Sequence, residues 1–163
     1  MSNATAPSAI DTAHLRTAIQ IANESVAAGN HPFGAVLADP DGTVVLSAQN
    51  SVVTERDVTC HAETNLVRLA MRKYGPDQLA SFTLYTSCEP CAMCAGAIYW
   101  SGIGRVVFAL GETTLYELTG INPDNPTLAV PSRVVFGGGQ RSTEVVGPAL
   151  EDEAAVAHES FWR

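Results

Sequence analysis

Four residues in two short runs have the types and spacing of a catalytic metal centre. They are His61 and Glu63 in Cys60-His61-Ala62-Glu63, and Cys91 and Cys94 in Pro90-Cys91-Ala92-Met93-Cys94. Zinc takes imidazole nitrogen and thiolate sulfur in tetrahedral geometry. Cys91 and Cys94 open a stretch with helical pattern, so a spacing of three puts both on one face. A first helical turn has free backbone N–H groups that favour thiolates. His61 supplies a third ligand from the start of another helix. Three protein ligands leave the fourth place to water, the arrangement of a catalytic rather than a structural zinc. Two thiolates offset the metal charge, so that water needs a base beside it. Glu63, two residues past His61, has no ligand duty and is the residue expected to take and return the proton. A structural site would need a fourth ligand, for which Cys88 and Cys60 are the candidates. Cys88 sits on the strand side of the turn and Cys60 points away from the face of His61, so both are read as packing.

The elements that must position these residues follow from apolar periodicity. Residues 1–9 read as a loose arm. Residues 11–28 read as an amphipathic helix capped by Asp11 or Thr12. Phe33–Ala38 and Val44–Ala48 form a hairpin about Pro40-Asp41-Gly42, and Asn50–Val58 is irregular. A helix over His61–Tyr74 stops at Gly75-Pro76. A strand over Phe82–Thr86, a buried helix over Cys91–Trp100 and a strand over Arg105–Leu110 follow. Thr113–Leu118 reads as a helix and Asn122–Pro131 as loop. Val134–Phe136 and Glu144–Val146 read as strand pieces, and Leu150–Phe161 as a last helix. Alternating strands and helices give an α/β layer fold in which helices cover a mixed sheet. Ligands of such folds gather where strands end and helices begin, and both motif runs fall there.

The 163 residues suit one domain, 1–163, without repeat or linker. A hydrophobic share of 46% and a charged share of 16% fit a globular chain, and no apolar run has membrane-spanning length. Met1–Ser8 lacks the basic and apolar regions of a secretory signal, so four reduced thiols and the cytoplasm are expected. A net charge of −8 opposes binding to phosphate backbones.

The runs Thr86-Ser87-Cys88-Glu89-Pro90-Cys91 and Gly96-Ala97-Ile98-Tyr99-Trp100 resemble those of the cytidine deaminase superfamily, closest in motif to bacterial guanine deaminases. Arg105-Val106-Val107-Phe108 resembles the tRNA adenosine deaminase branch, and Pro32-Phe33-Gly34-Ala35-Val36 and Gln49-Asn50 match further family positions. The resemblance covers about residues 11–115. It implies a three-layer α/β/α fold with a mixed five-stranded sheet. It also implies a Zn2+-dependent hydrolytic deaminase of a small nucleobase, usually dimeric. Glu63 would be its acid–base residue, and Asn50 and the Ala62 backbone would bond the base. Phe33 and Trp100 would line the pocket, with Trp100 able to reach a neighbouring subunit. Guanine is the first expected substrate, then cytosine or a related pyrimidine or triazine, then tRNA adenosine. A zinc-stabilised scaffold without turnover is the non-enzyme alternative, opposed by the unligated Glu63. Guanine deaminases carry an Asp after the fourth strand where this chain has Glu112-Thr113-Thr114, so Glu112 is the candidate substitute. The terminal Phe161-Trp162 resembles the aromatic cap of fungal cytosine deaminases. His31, before a proline, is read as a surface residue with a pocket position as the alternative, and His14 and His158 as surface or core residues rather than ligands.

Overall fold

In the computed structural model, which describes residues 6–162, thirteen elements follow one another. They are α1 (Ala9–Ala27), β1 (Gly34–Ala38), β2 (Val44–Gln49), α2 (Val52–Glu55), α3 (Ala62–Lys73), α4 (Pro76–Leu79), β3 (Thr83–Cys88), α5 (Ala92–Ser101), β4 (Arg105–Leu110), α6 (Glu112–Thr119), α7 (Ser132–Gly137), β5 (Glu144–Val146) and α8 (Glu151–Glu159). Of the expected arm over residues 1–9, residues 1–5 lie outside the described part, and Ala9 already opens α1. The cap of α1 is Ser8 rather than Asp11 or Thr12. Ser8 and Asp11 each accept the other's backbone N–H in a capping box. Asp11 also turns inward, where Arg105 donates to both its oxygens and the Tyr85 hydroxyl donates to one. Burial opposes its charge, but the Arg105 pair and these hydrogen bonds outweigh it and hold the carboxyl well below the usual range.

The sheet order is β2-β1-β3-β4-β5. β1 runs antiparallel to β2 and β3, while β4 runs parallel to β3 and β5, so the expected mixed five-stranded sheet is present. Alternate strand residues face opposite layers. Leu37, Leu84 and Val106 pack on Leu66 and Ala70 of α3 and on Ile98 of α5. Val36, Tyr85 and Val107 pack on Leu15 of α1, Leu115 of α6 and Ala154 of α8. Each large side chain so buried contributes about 1.5–3 kcal/mol. Gly34 lets β1 lie directly on α1, because a Cβ there would stand 2.4 Å from the Ala18 carbonyl oxygen.

Three local expectations change. Val134–Phe136 lies in a helix, α7, not a strand. Pro131 leads into it at φ −55°, Phe136 turns into the core, and β5 pairs with β4 instead. The two valines favour strand, but burial of Phe136 decides. The stretch Asn50–Val58 contains the single turn α2. The helix α5 is not buried all round, since Trp100 is 76% exposed. Among the described residues no helix is long and apolar enough to cross a membrane.

Candidate metal centre and active-site cleft

Both motif helices start one residue later than expected, so His61 and Cys91 are N-caps rather than helical residues. Each has extended backbone, φ −66° and ψ 155° for His61 and φ −63° and ψ 169° for Cys91. That backbone turns the cap side chains across the start of their helices, and the two helix starts converge. Cys94 is the third residue of α5, one turn from Cys91. The donor atoms of His61, Cys91 and Cys94 lie within 4.8 Å of one another, and they form the one such metal-binding group among the described residues.

The distances fit a cation. His61 Nδ1 stands 3.6 Å from Cys91 Sγ and 3.5 Å from Cys94 Sγ. Zinc bonds of about 2.3 Å to sulfur and about 2.0–2.1 Å to nitrogen at the tetrahedral angle put those atoms about 3.6 Å apart. The protonation pattern agrees. Contact with the Cys94 thiol, followed by the His61 ring and the Cys94 backbone N–H, brings Cys91 down to about 4 against the pull of burial. The same thiol contact, with burial, pushes Cys94 up. One thiolate is therefore favoured at neutral pH, and a bound metal would displace the second proton.

Glu63 is 4% exposed on the first turn of α3. Its Oε2 is 3.6 Å from Cys94 Sγ, and its Oε1 is 2.9 Å from the Thr86 hydroxyl. Burial raises its pKa, although the His61 charge pulls it down. Thr86 also stands 2.9 Å from the Cys88 carbonyl. A single hydroxyl proton serves one of these acceptors at a time, so Thr86 can donate to a charged Glu63 or accept from a protonated one. Sequence reasoning missed Thr86. Strand alternation held the signal, because Thr86 follows Leu84 on the face of β3 toward α3.

A cleft of about 370 Å³ opens beside these groups, and His31, Phe33, Asn50, Glu112 and the loop Asp124–Leu128 contribute to its lining. Asn50 is 1% exposed, and its Oδ1 accepts the Val52 N–H at 3.1 Å. The amide NH2 is thereby left as the group offered to the cleft. Ala62, the first residue of α3, has a backbone N–H without an intrahelical acceptor. Glu112 lines the cleft at 6% exposure, and burial, with Cys91, Glu89 and Glu63 nearby, raises its carboxyl to about 7. Cys88 lines the cleft outside the ligand group, and Cys60 is buried with Arg68 Nη2 3.4 Å from its sulfur. His14 bonds the Gly42 carbonyl at 2.8 Å.

Two expected wall residues separate. Phe33 lines the cleft, while Trp100 stands on the outer face of α5 and does not reach the cleft of its own chain. Phe161 and Trp162 line an adjoining cleft that shares His31 and Asp124 with the first. Trp162 donates its indole N–H to His158 Nδ1 at 3.1 Å, and Asn122 Nδ2 donates to its carbonyl at 3.1 Å. Its ring meets that of His31 edge-on at 5.2 Å. His158 is 1% exposed, which brings its pKa down to about 4.

Comparisons with known proteins agree with this geometry. The family model described as "Cytidine and deoxycytidylate deaminase zinc-binding region" matches residues 8–110. A Schizosaccharomyces pombe protein named "Probable cytosine deaminase" is 45% identical over 152 residues, 93% of this chain and 92% of its own. A Bacillus subtilis "Guanine deaminase" is 45% identical over 104 residues, 63% of this chain and 66% of its own. The structure of a guanine deaminase from Nitrosomonas europaea superposes with a TM-score of 0.76 at 26% identity, covering 96% of this chain and 86% of that one. The extended caps, the histidine–thiolate group and the buried glutamate thus stand in a chain that belongs to the zinc-binding cytidine and deoxycytidylate deaminase family, an enzyme of hydrolytic deamination.

Proposed function

We propose that the enzyme removes the exocyclic amine of a small free nucleobase, with guanine as first substrate. One zinc per chain is held by His61, Cys91 and Cys94, and when bound it supplies the Lewis acidity that activates water at neutral pH. Glu63 would carry the two protons of the attacking water in turn, the first to the ring nitrogen as the C–O bond forms and the second to the amine as the C–N bond breaks. Water enters, ammonia leaves, and the amine-bearing carbon becomes a carbonyl. The observation that carries this reading is Glu63 itself, a buried carboxylate with no ligand duty 3.6 Å from Cys94 Sγ. Asn50 and the Ala62 N–H bond the polar edge of the base, and Phe33 packs on its ring.

Guanine is supported by Glu112. Its carboxyl borders the cleft and is raised by burial to about 7, so that it could serve as a second proton carrier beside Glu63. A pyrimidine such as cytosine is the second reading. It is favoured by the similarity to the S. pombe protein, which extends over 93% of this chain. Ammonia release by the zinc-loaded enzyme from guanine, cytosine, triazines and nucleosides separates the two. Turnover of cytosine with none of guanine would discard the first reading.

A homodimer completes the proposal. Met93 and Trp100 are one heptad apart on α5, 36% and 76% exposed, with Gly96 and Ala97 half-buried between them. Such an apolar stripe suits a second copy. Sedimentation of Trp100→Glu is expected to show monomer where the unmodified chain shows dimer.

A further inference from the structure

Glu89 lies in the lining of the cleft, and three parts of the cleft meet on it. It is 9% exposed, on the turn between β3 and Cys91. Its Oε2 accepts the Glu112 backbone N–H at 2.9 Å. Its Oε1 accepts the Ser132 backbone N–H at 2.8 Å and the Ser132 hydroxyl at 2.7 Å. Glu112 opens α6, and Ser132 ends the loop whose residues Asp124–Leu128 line the cleft. A buried carboxylate is tolerated when donors surround it, and these donors come from two segments remote in sequence.

We propose that Glu89 is a positioning residue for deamination, and that it holds Glu112 and the cleft loop in register with the metal-ligand turn. The proposal rests on the deaminase reading of the cleft given above. Its two oxygens divide the work. One fixes the start of α6 and with it the Glu112 carboxyl. The other anchors the far end of the loop that meets the substrate.

Isosteric and truncating variants separate the two arms. In Glu89→Gln the oxygen stays with its two Ser132 donors, and the new NH2 faces the Glu112 N–H, donor against donor. This breaks the α6 arm alone. In Ser132→Ala the loop arm loses one donor and the α6 arm is untouched. For the zinc-loaded enzyme, Glu89→Gln is expected to lower kcat about tenfold with zinc at one per chain, the scale of one lost charge-assisted hydrogen bond. Ser132→Ala is expected to raise KM about threefold and leave kcat within about twofold. Because Glu89 acts through Glu112, the pair Glu89→Gln and Glu112→Gln together should be no more than about twofold slower than Glu112→Gln alone.

Hydrogen exchange of the Glu112 and Ser132 amides reads the hold directly and needs no substrate. Glu112 is expected to exchange faster in Glu89→Gln while Ser132 does not. Unchanged exchange at Glu112 overturns the proposal, as does full additivity in the double variant. If no base is turned over, the deaminase reading fails, and the exchange data still decide whether Glu89 holds α6. If Glu89→Gln does not fold, Ser132→Ala and Glu89→Asp decide. Wild-type KM and kcat in both would sink the idea.

Discussion

The two sides of the cleft are built differently. The metal corner stands on regular elements, with His61 and Cys91 capping α3 and α5, and Glu63 and Cys94 in the first turns. The outer side is the loop over residues 121–131 with the chain end at Phe161 and Trp162. Its ties include Glu89 to Ser132, Thr119 to Thr127, Asn122 to Trp162, and Phe161 and Trp162 to His158. Rigid elements hold groups within the tolerance that proton transfer needs. Loops change without disturbing a core, and they are where specificity is set. On the proposed reading the corner would carry the chemistry, and the loop side would close on the base that the corner holds.

Variants in the corner should break this division most severely. Cys91→Ala is expected to lose its zinc and all measurable activity, while Cys88→Ala keeps its metal. Metal analysis of the purified proteins checks both, and full zinc in Cys91→Ala would refute the ligand assignment. Glu63→Gln is expected to keep zinc and fold and to lose at least about a hundredfold in kcat. Near-normal turnover would remove Glu63 from the mechanism.

On the loop side the first expected effect is on stability. Burial holds His158 at about 4, against an ordinary value of 6.5. The unfolded chain therefore binds more protons between those values. The His158 contribution is complete above pH 6.5 and falls as pH drops toward 4, by up to about 3 kcal/mol, while Glu112, raised by burial to about 7, gives a slope of opposite sign in part of that window. Chemical denaturation of wild type and His158→Phe from pH 7 to 4 should differ by this contribution, the variant losing less stability than wild type as pH falls. Asp11, with its carboxyl held far lower, would contribute only in stronger acid. A wild-type slope in His158→Phe would mean that the ring does not carry the effect. The smallest effect sharpens the boundary between the two sides. Asn50→Ala should lower kcat/KM for the true substrate by about tenfold while zinc remains, because a buried polar edge of the base is left unpaired. An equal loss for every base tested would place Asn50 with the chemistry rather than with selection.

The same division explains what the sequence made legible. His61, Cys91 and Cys94 are readable because metal ligation dictates residue type and spacing, and Glu63 because it is a carboxylate without ligand duty two residues from His61. The strands were readable because one-sided burial imposes alternation. Residues whose partners lie far along the chain left no such mark. Glu89 meets Ser132 across 43 positions, and Tyr85 meets Asp11 across 74. The helix α7 was misread because its valines favour strand and only the placement of Phe136 in the core overrules them. Trp100 matched a family pocket position, but its side chain stands outside the cleft of its own chain.

The extended caps of α3 and α5 carry a last consequence. A cap residue fixes where its helix begins, and here the cap side chains are also the proposed metal donors. Chelation should therefore fray the first turns of both helices, and with them the seat of Glu63. Binding to the folded form alone makes apparent stability rise with the logarithm of free metal. The persistence of the enzyme in a cell would then follow zinc supply as well as synthesis, and scarcity would remove the protein rather than leave an idle pool of it.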